Sequence, residues 1–119
     1  MAAGLTQLKI LRDHPEIYRE LNATGDWFFE QVKDLLREKG LKWQVNHVGS
    51  LGCLFFTELP VTNYASAKTS DTGKYASYFR KMLNQGIYLA PAQFEAMFLS
   101  AAHTREELES TLKCIENVV

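Results

Sequence analysis

Glu95 is the residue in this chain whose type and setting suggest chemistry. It stands in YLAPAQFEAMFLSAAHT, residues 88–104, between two apolar runs. A carboxylate there can meet an amine or exchange a proton at the mouth of a pocket. Its plainer role is a solvated or ion-paired loop residue. His103 comes next. It precedes Thr104, a natural helix cap, so its ring or backbone is expected to help fix a helix start. No Ser or Cys nucleophile pattern accompanies it as a catalytic base would require. His14 and His47 lie far from it and from each other and lack ligand spacing, so no metal site is expected. Asn63 and Tyr64, in a polar stretch, could touch a ligand or simply make turn hydrogen bonds. The lysines are scattered over polar faces, and none sits in the apolar pocket that Schiff-base work needs. VGSLG does not open a helix, and no phosphate loop or dinucleotide fingerprint appears. The residues alone therefore name no catalytic, cofactor-binding or metal-binding group. Glu95 is the single candidate.

The elements that must position Glu95 follow from periodicity. Leu5, Leu8 and Leu11 mark a helix over 2–12. In DHPE, Asp13 is expected as an N-cap, with Pro15 in the first turn and Glu16 closing a capping box. The helix that follows carries Ile17, Leu21, Phe28, Val32 and Leu35 on one stripe and ends at Gly40. Gly25 inside it costs about 1 kcal/mol against alanine or marks a kink. The period then changes to two, predicting strands over 42–48 and 53–58 around a Gly49–Gly52 turn. Residues 59–70 read as a long polar loop. Ser70 or Asp71 caps a helix with Tyr75, Tyr78, Phe79 and Met82 on its apolar face, stopped by Gly86. IYLAP and AMFLS are expected as two short strands flanking Glu95. Thr104 and Glu107 form a capping box for a last helix carrying Leu108, Leu112, Ile115 and Val119. The order ααββαββα predicts an α+β two-layer sandwich over 1–119, with a small, mostly antiparallel sheet and helices on one face.

Composition fits one such domain. The chain has 119 residues, 46% of them hydrophobic and 12% aromatic, which is enough for a packed core. A net charge of −1 without a basic run argues against nucleic acid and anionic membranes as partners. No apolar run is long enough to span a membrane, and the first residues lack a signal-peptide pattern. Cys53 and Cys114 then read as free thiols of a cytoplasmic protein. The first helix begins almost at Met1 without a capping residue, as if its natural start lay upstream.

The residues VGS, LFFTE, PVTNY, SDT, GIYLAP, QFEA and FLSAAHT, in this order over nearly the whole chain, resemble the C-terminal small domain of the glutamate-1-semialdehyde 2,1-aminomutase family. That family belongs to the class III aminotransferases of pyridoxal-phosphate fold type I. The resemblance spans only the last quarter or so of a family member. It implies an internal origin for Met1 and a missing large domain, which would carry the Schiff-base lysine and the cofactor phosphate site. The chain alone is then expected to be inactive and to bind no pyridoxal or pyridoxamine phosphate. Its partners would be that large domain and, in the full enzyme, a second copy. Left alone, the face meant for the large domain invites self-association.

The family reaction moves an amino group within glutamate-1-semialdehyde to give 5-aminolevulinate for tetrapyrrole synthesis, through a diamine. Relatives acting on ordinary amino acids carry an arginine in this region for the substrate's α-carboxylate. The resemblance therefore implies that Glu95 faces the substrate, complements the positive diamine and repels α-carboxylates. One departure stands out: Met97 occupies the place of a family glycine, and its side chain must find room in the core or over the pocket. Two other readings remain open at this level. One is a related class III transaminase with another substrate, against which Glu95 argues. The other is a stand-alone, non-enzymatic interaction domain.

Overall fold

The computed structural model describes residues 1–119. Five helices and three strands form an α+β domain in the order α1 (Ala2–Asp13), α2 (Glu16–Glu38), β1 (Gln44–Val48), β2 (Leu51–Phe55), α3 (Tyr64–Ala67), α4 (Thr72–Asn84), β3 (Met97–Phe98) and α5 (Arg105–Val118). The strands make one antiparallel sheet in the order β1-β2-β3. No helix is long and apolar enough to cross a membrane.

The register assigns the two faces of the sheet. His47, Gly52 and Met97 are cross-strand partners and so share one face. His47 stacks on Phe29 of α2 with ring centroids 5.1 Å apart, so this face meets the helices. Phe28, Phe29, Val32 and Leu36 of α2, Leu54 of β2 and Phe56 just after it, Tyr75, Tyr78 and Met82 of α4, and Leu108, Ile115 and Val118 of α5 form the buried core. The next row, Val48–Leu51–Phe98, points to the other face and is solvent-exposed.

Several expectations need correction. Asp13 does not cap α2. It closes α1 and pairs with Arg12 at 2.7 Å, while Pro15 takes the cap position without a side-chain bond. Glu16 reaches His14 instead, at 2.9 Å, so no capping box forms. The long polar loop contains the short helix α3, whose capping box is made by Asn63 and Ser66. The hairpin turn is Gly49–Ser50, with Gly49 at φ +54°, tighter than a Gly49–Gly52 turn. IYLAP forms no strand, and only Met97–Phe98 of AMFLS pairs with β2. Its five residues end in Ala90-Pro91, and proline cannot donate to a ladder. The buried stripe of α2 lies in its C-terminal half, whereas Ile17 and Leu21 are only half-buried.

Other local signals hold. Gly40 and Gly86 have φ values of +69° and +84° just after their helices. Asp71, not Ser70, caps α4 by accepting from the Lys74 amide at 2.9 Å. Thr104 and Glu107 form the reciprocal box of α5, and these bonds hold the Glu107 carboxyl below its usual range. α2 runs without interruption through Gly25. This glycine is buried where α2 meets the hairpin turn.

Candidate functional site

The segment from Ile87 to Leu99 is tied at its ends by backbone bonds of Ile87 to Met82 and of Leu99 to Ser50 and by the short β3, and between them its position depends on side-chain anchors. There are three. The Tyr75 hydroxyl of α4 donates to the Ala90 carbonyl at 2.6 Å. The Gln93 side chain donates to the Leu54 carbonyl at 2.7 Å and accepts from the Phe56 amide at 3.3 Å. The Cys53 thiol lies 3.5 Å from the Gln93 carbonyl and 3.7 Å from the Glu95 carbonyl. Burial explains the titration of these groups. It pushes the Cys53 thiol up to about 11 and the Tyr75 phenol up to about 12, the latter helped by neighbouring Cys53 and Glu95. Both keep their protons at neutral pH and both can donate.

Anchored in this way, the segment walls a cavity of about 410 Å³ against α2 and α5. Leu89, Met97, Leu99 and Leu108 give it an apolar lining. Its polar groups are Glu95, His103, Glu107 and Thr111. Glu95 is exposed at this cavity and makes no ion pair within the chain. A carboxylate at an apolar cavity, on a fixed loop and without a cation of its own, is suited to receive a cationic group from outside.

The other candidates have separate duties. His103 lines the same cavity, but its Nδ1 accepts from the Ser100 amide at 3.0 Å, which ties it to the turn before α5. Glu107 is engaged in its cap. His14 and His47 pair with Glu16 and Asp26, and neither lines the cavity. Asn63 caps α3, and exposed Tyr64 packs edge-on against Phe94. Met97 both packs against the core and lines the cavity, so its side chain finds room between the two. No cluster of His, Cys, Asp or Glu is arranged to hold a metal. The cavity lining also does not fit a phosphorylated pyridine cofactor. It offers two carboxylates and no lysine or arginine, which is the wrong charge for a phosphate ester. Gln93, Tyr75 and Cys53 carried no functional signal in the sequence. Tyr75 read as core, and the residue types alone do not reveal contacts across the fold.

No protein-family model matches the chain. Curated relatives do. The chain is 53% identical over 116 residues to glutamate-1-semialdehyde 2,1-aminomutase 2 of Lachnoclostridium phytofermentans, covering 98% of this chain and 27% of that protein. Over all 119 residues it is 50% identical to the aminomutases of Ruminiclostridium cellulolyticum and of Chlorobaculum tepidum, again 27% of each. The chain thus spans about a quarter of the length of these relatives. Among solved structures, an omega-transaminase from Sphaerobacter thermophilus superposes with a TM-score of 0.81 at 23% identity, over 98% of this chain and 26% of that one. A glutamate-1-semialdehyde aminomutase from Pseudomonas aeruginosa PAO1 superposes at 0.75 with 20% identity, over 87% of this chain and 23% of that one. The fold is that of the corresponding part of these enzymes.

Proposed function

Over its whole length the chain corresponds to the C-terminal part of glutamate-1-semialdehyde 2,1-aminomutases, and on that premise we propose that it is the small domain of such an enzyme, with Glu95 facing the substrate. The whole enzyme would transfer the amino group of glutamate-1-semialdehyde within the molecule to give 5-aminolevulinate. The observation that carries the role of Glu95 is its unpaired carboxylate on an anchored loop at an apolar cavity. An aldehyde occupies the end of this substrate where ordinary amino acids have a carboxylate. A fixed negative charge there favours the diamine and rejects α-amino acids.

The cofactor is assigned to the part of the enzyme beyond this chain. Pyridoxal or pyridoxamine phosphate supplies the electron sink when bound. The two carboxylates of the cavity cannot hold its phosphate, and no lysine lines the cavity to bond its aldehyde. This chain's contribution is then to wall the substrate site and to present one charge. The large domain, and a second copy of the enzyme, complete the site.

The test is Glu95→Gln in the full-length enzyme. One charge-assisted contact is worth about 1.5–3 kcal/mol, or roughly 10–150-fold in rate. Glutamate-1-semialdehyde turnover should fall by that factor, while α-amino acids should react faster with the bound cofactor. An unchanged ratio of the two rates refutes the role of Glu95.

A further inference from the structure

We propose that Gln93 is the positioning residue that holds Glu95 toward the substrate; this rests on the reading of Glu95 above. Gln93 is 2% exposed, yet Pro91, Ala92, Phe94 and Glu95 around it are all exposed. A loop that sends one amide side chain inward bears its desolvation cost, so its oxygen and its nitrogen must each find a partner. Its two bonds explain the placement. β3 pairs with β2 only at Leu51 and Gly52, leaving the Leu54 carbonyl and the Phe56 amide without a strand partner on that side. The Gln93 side chain meets both, at 2.7 and 3.3 Å, as the backbone amide of a third strand would. Its orientation is fixed by its partners, since a carbonyl can only accept and an amide N–H can only donate.

This clamp lies two residues from Glu95. A turn bond from the Glu95 amide to the Ala92 carbonyl at 3.2 Å spans the clamp. The turn sends Gln93 inward to β2, while Glu95 lines the cavity and Gln93 does not. Fixing the backbone on the core side therefore fixes the carboxylate on the cavity side. A charge held before the substrate arrives discriminates better than one that must be ordered on binding.

Gln93→Met keeps the length and apolar volume but removes both bonds. Gln93→Asn is shorter by one methylene and cannot span both partners. It serves as the milder variant should Gln93→Met fold poorly. Each is made in the full-length enzyme, alone and with Glu95→Gln. The first readout is the ratio of glutamate-1-semialdehyde turnover to cofactor reaction with α-amino acids, which a loss of stability alone does not change. The second is hydrogen exchange of the amides of residues 92–97, measured without substrate. We expect the ratio to fall at least about tenfold in Gln93→Met, with faster exchange across 92–97. Glu95→Gln should then add little in that background, as expected when two residues act through one contact. Ratios within twofold of wild type in both Gln93 variants, or an undiminished Glu95→Gln effect beside Gln93→Met, would reduce Gln93 to a core residue and overturn the inference. A silent Glu95→Gln in the wild-type background overturns the reading of Glu95, and the inference with it. An active Glu95→Gln beside silent Gln93 variants overturns the inference alone.

Discussion

Cys53 illustrates how one residue's chemistry is set by its neighbours. Its thiol is pushed up to about 11 by burial against the 87–99 segment, and its proton lies toward the Gln93 and Glu95 carbonyls. At pH 8 only about one thiol in a thousand is then ionised, and the thiolate is the species that alkylates. With Cys114 replaced by serine, Cys53 should react slowly with iodoacetamide at pH 8, the rate climbing about tenfold per pH unit toward pH 10. Labelling at the speed of a free thiol at pH 8 would contradict this. The linkage has a definite sign. The unfolded thiol ionises near 9.0 and the folded one near 11, so the fold loses stability as pH rises between them. Glu107 works the other way, its carboxyl held down by the Thr104 cap. That contribution is present above the ordinary glutamate range and is lost as pH falls below that range, through the lowered value of the folded carboxyl.

The junction of α2 with the β1–β2 hairpin depends on a glycine with no side chain to contribute. A Cβ at Gly25 would lie 2.7 Å from the Gly49 carbonyl carbon and 2.8 Å from the Ser50 Cα. Both are backbone atoms, so the hairpin itself would have to move. Alanine in an open helix would gain about 1 kcal/mol over glycine, but overpacking of this kind typically costs about 1–3 kcal/mol. Gly25→Ala should therefore destabilise the chain by up to about 2 kcal/mol net, measured by urea unfolding with an unchanged slope. A stabilised variant would mean that the helix and hairpin are not in close contact. Gly49, at φ +54°, and Asn22 beside it belong to the same junction. Gly25 therefore permits the close approach of α2 to the hairpin backbone.

At the scale of the whole molecule, an apolar surface remains open. The row Val48–Leu51–Phe98 crosses the outer sheet face, with Val48 80% and Phe98 72% exposed. α1 buries none of its residues, and Leu5 and Leu8 stand in solvent. Surfaces of this kind mark contacts with another body. The 119-residue chain alone should therefore self-associate as its concentration rises. Light scattering across a hundredfold range of concentration checks this, and a constant monomer mass throughout would count against it. Replacing Val48 and Phe98 together by threonine should weaken the association without unfolding the chain, since neither belongs to the core.

Much of this architecture was legible in the sequence because it is local. Helix periodicity, the Thr104–Glu107 box and the left-handed glycines at 40 and 86 depend on residues within a turn or two of each other. The box and the two glycines came out as read, whereas the buried stripe of α2 lies toward its C-terminal half. The QFEA and FLSAAHT stretches pointed to the relatives, and to Glu95 as a candidate, without any coordinates. The errors arose where adjoining elements or distant parts of the chain compete. Asp13 lost its capping role to the end of α1, and IYLAP failed as a strand because Pro91 and the anchor at Ala90 hold it off the sheet. Tertiary structure alone decided what holds Glu95 in place. Gln93 reaches Leu54 across 39 residues of chain, Tyr75 reaches Ala90 across 15, and Cys53 reaches the Glu95 carbonyl across 42. Hydrogen bonds between such distant residues leave no period or spacing in the sequence.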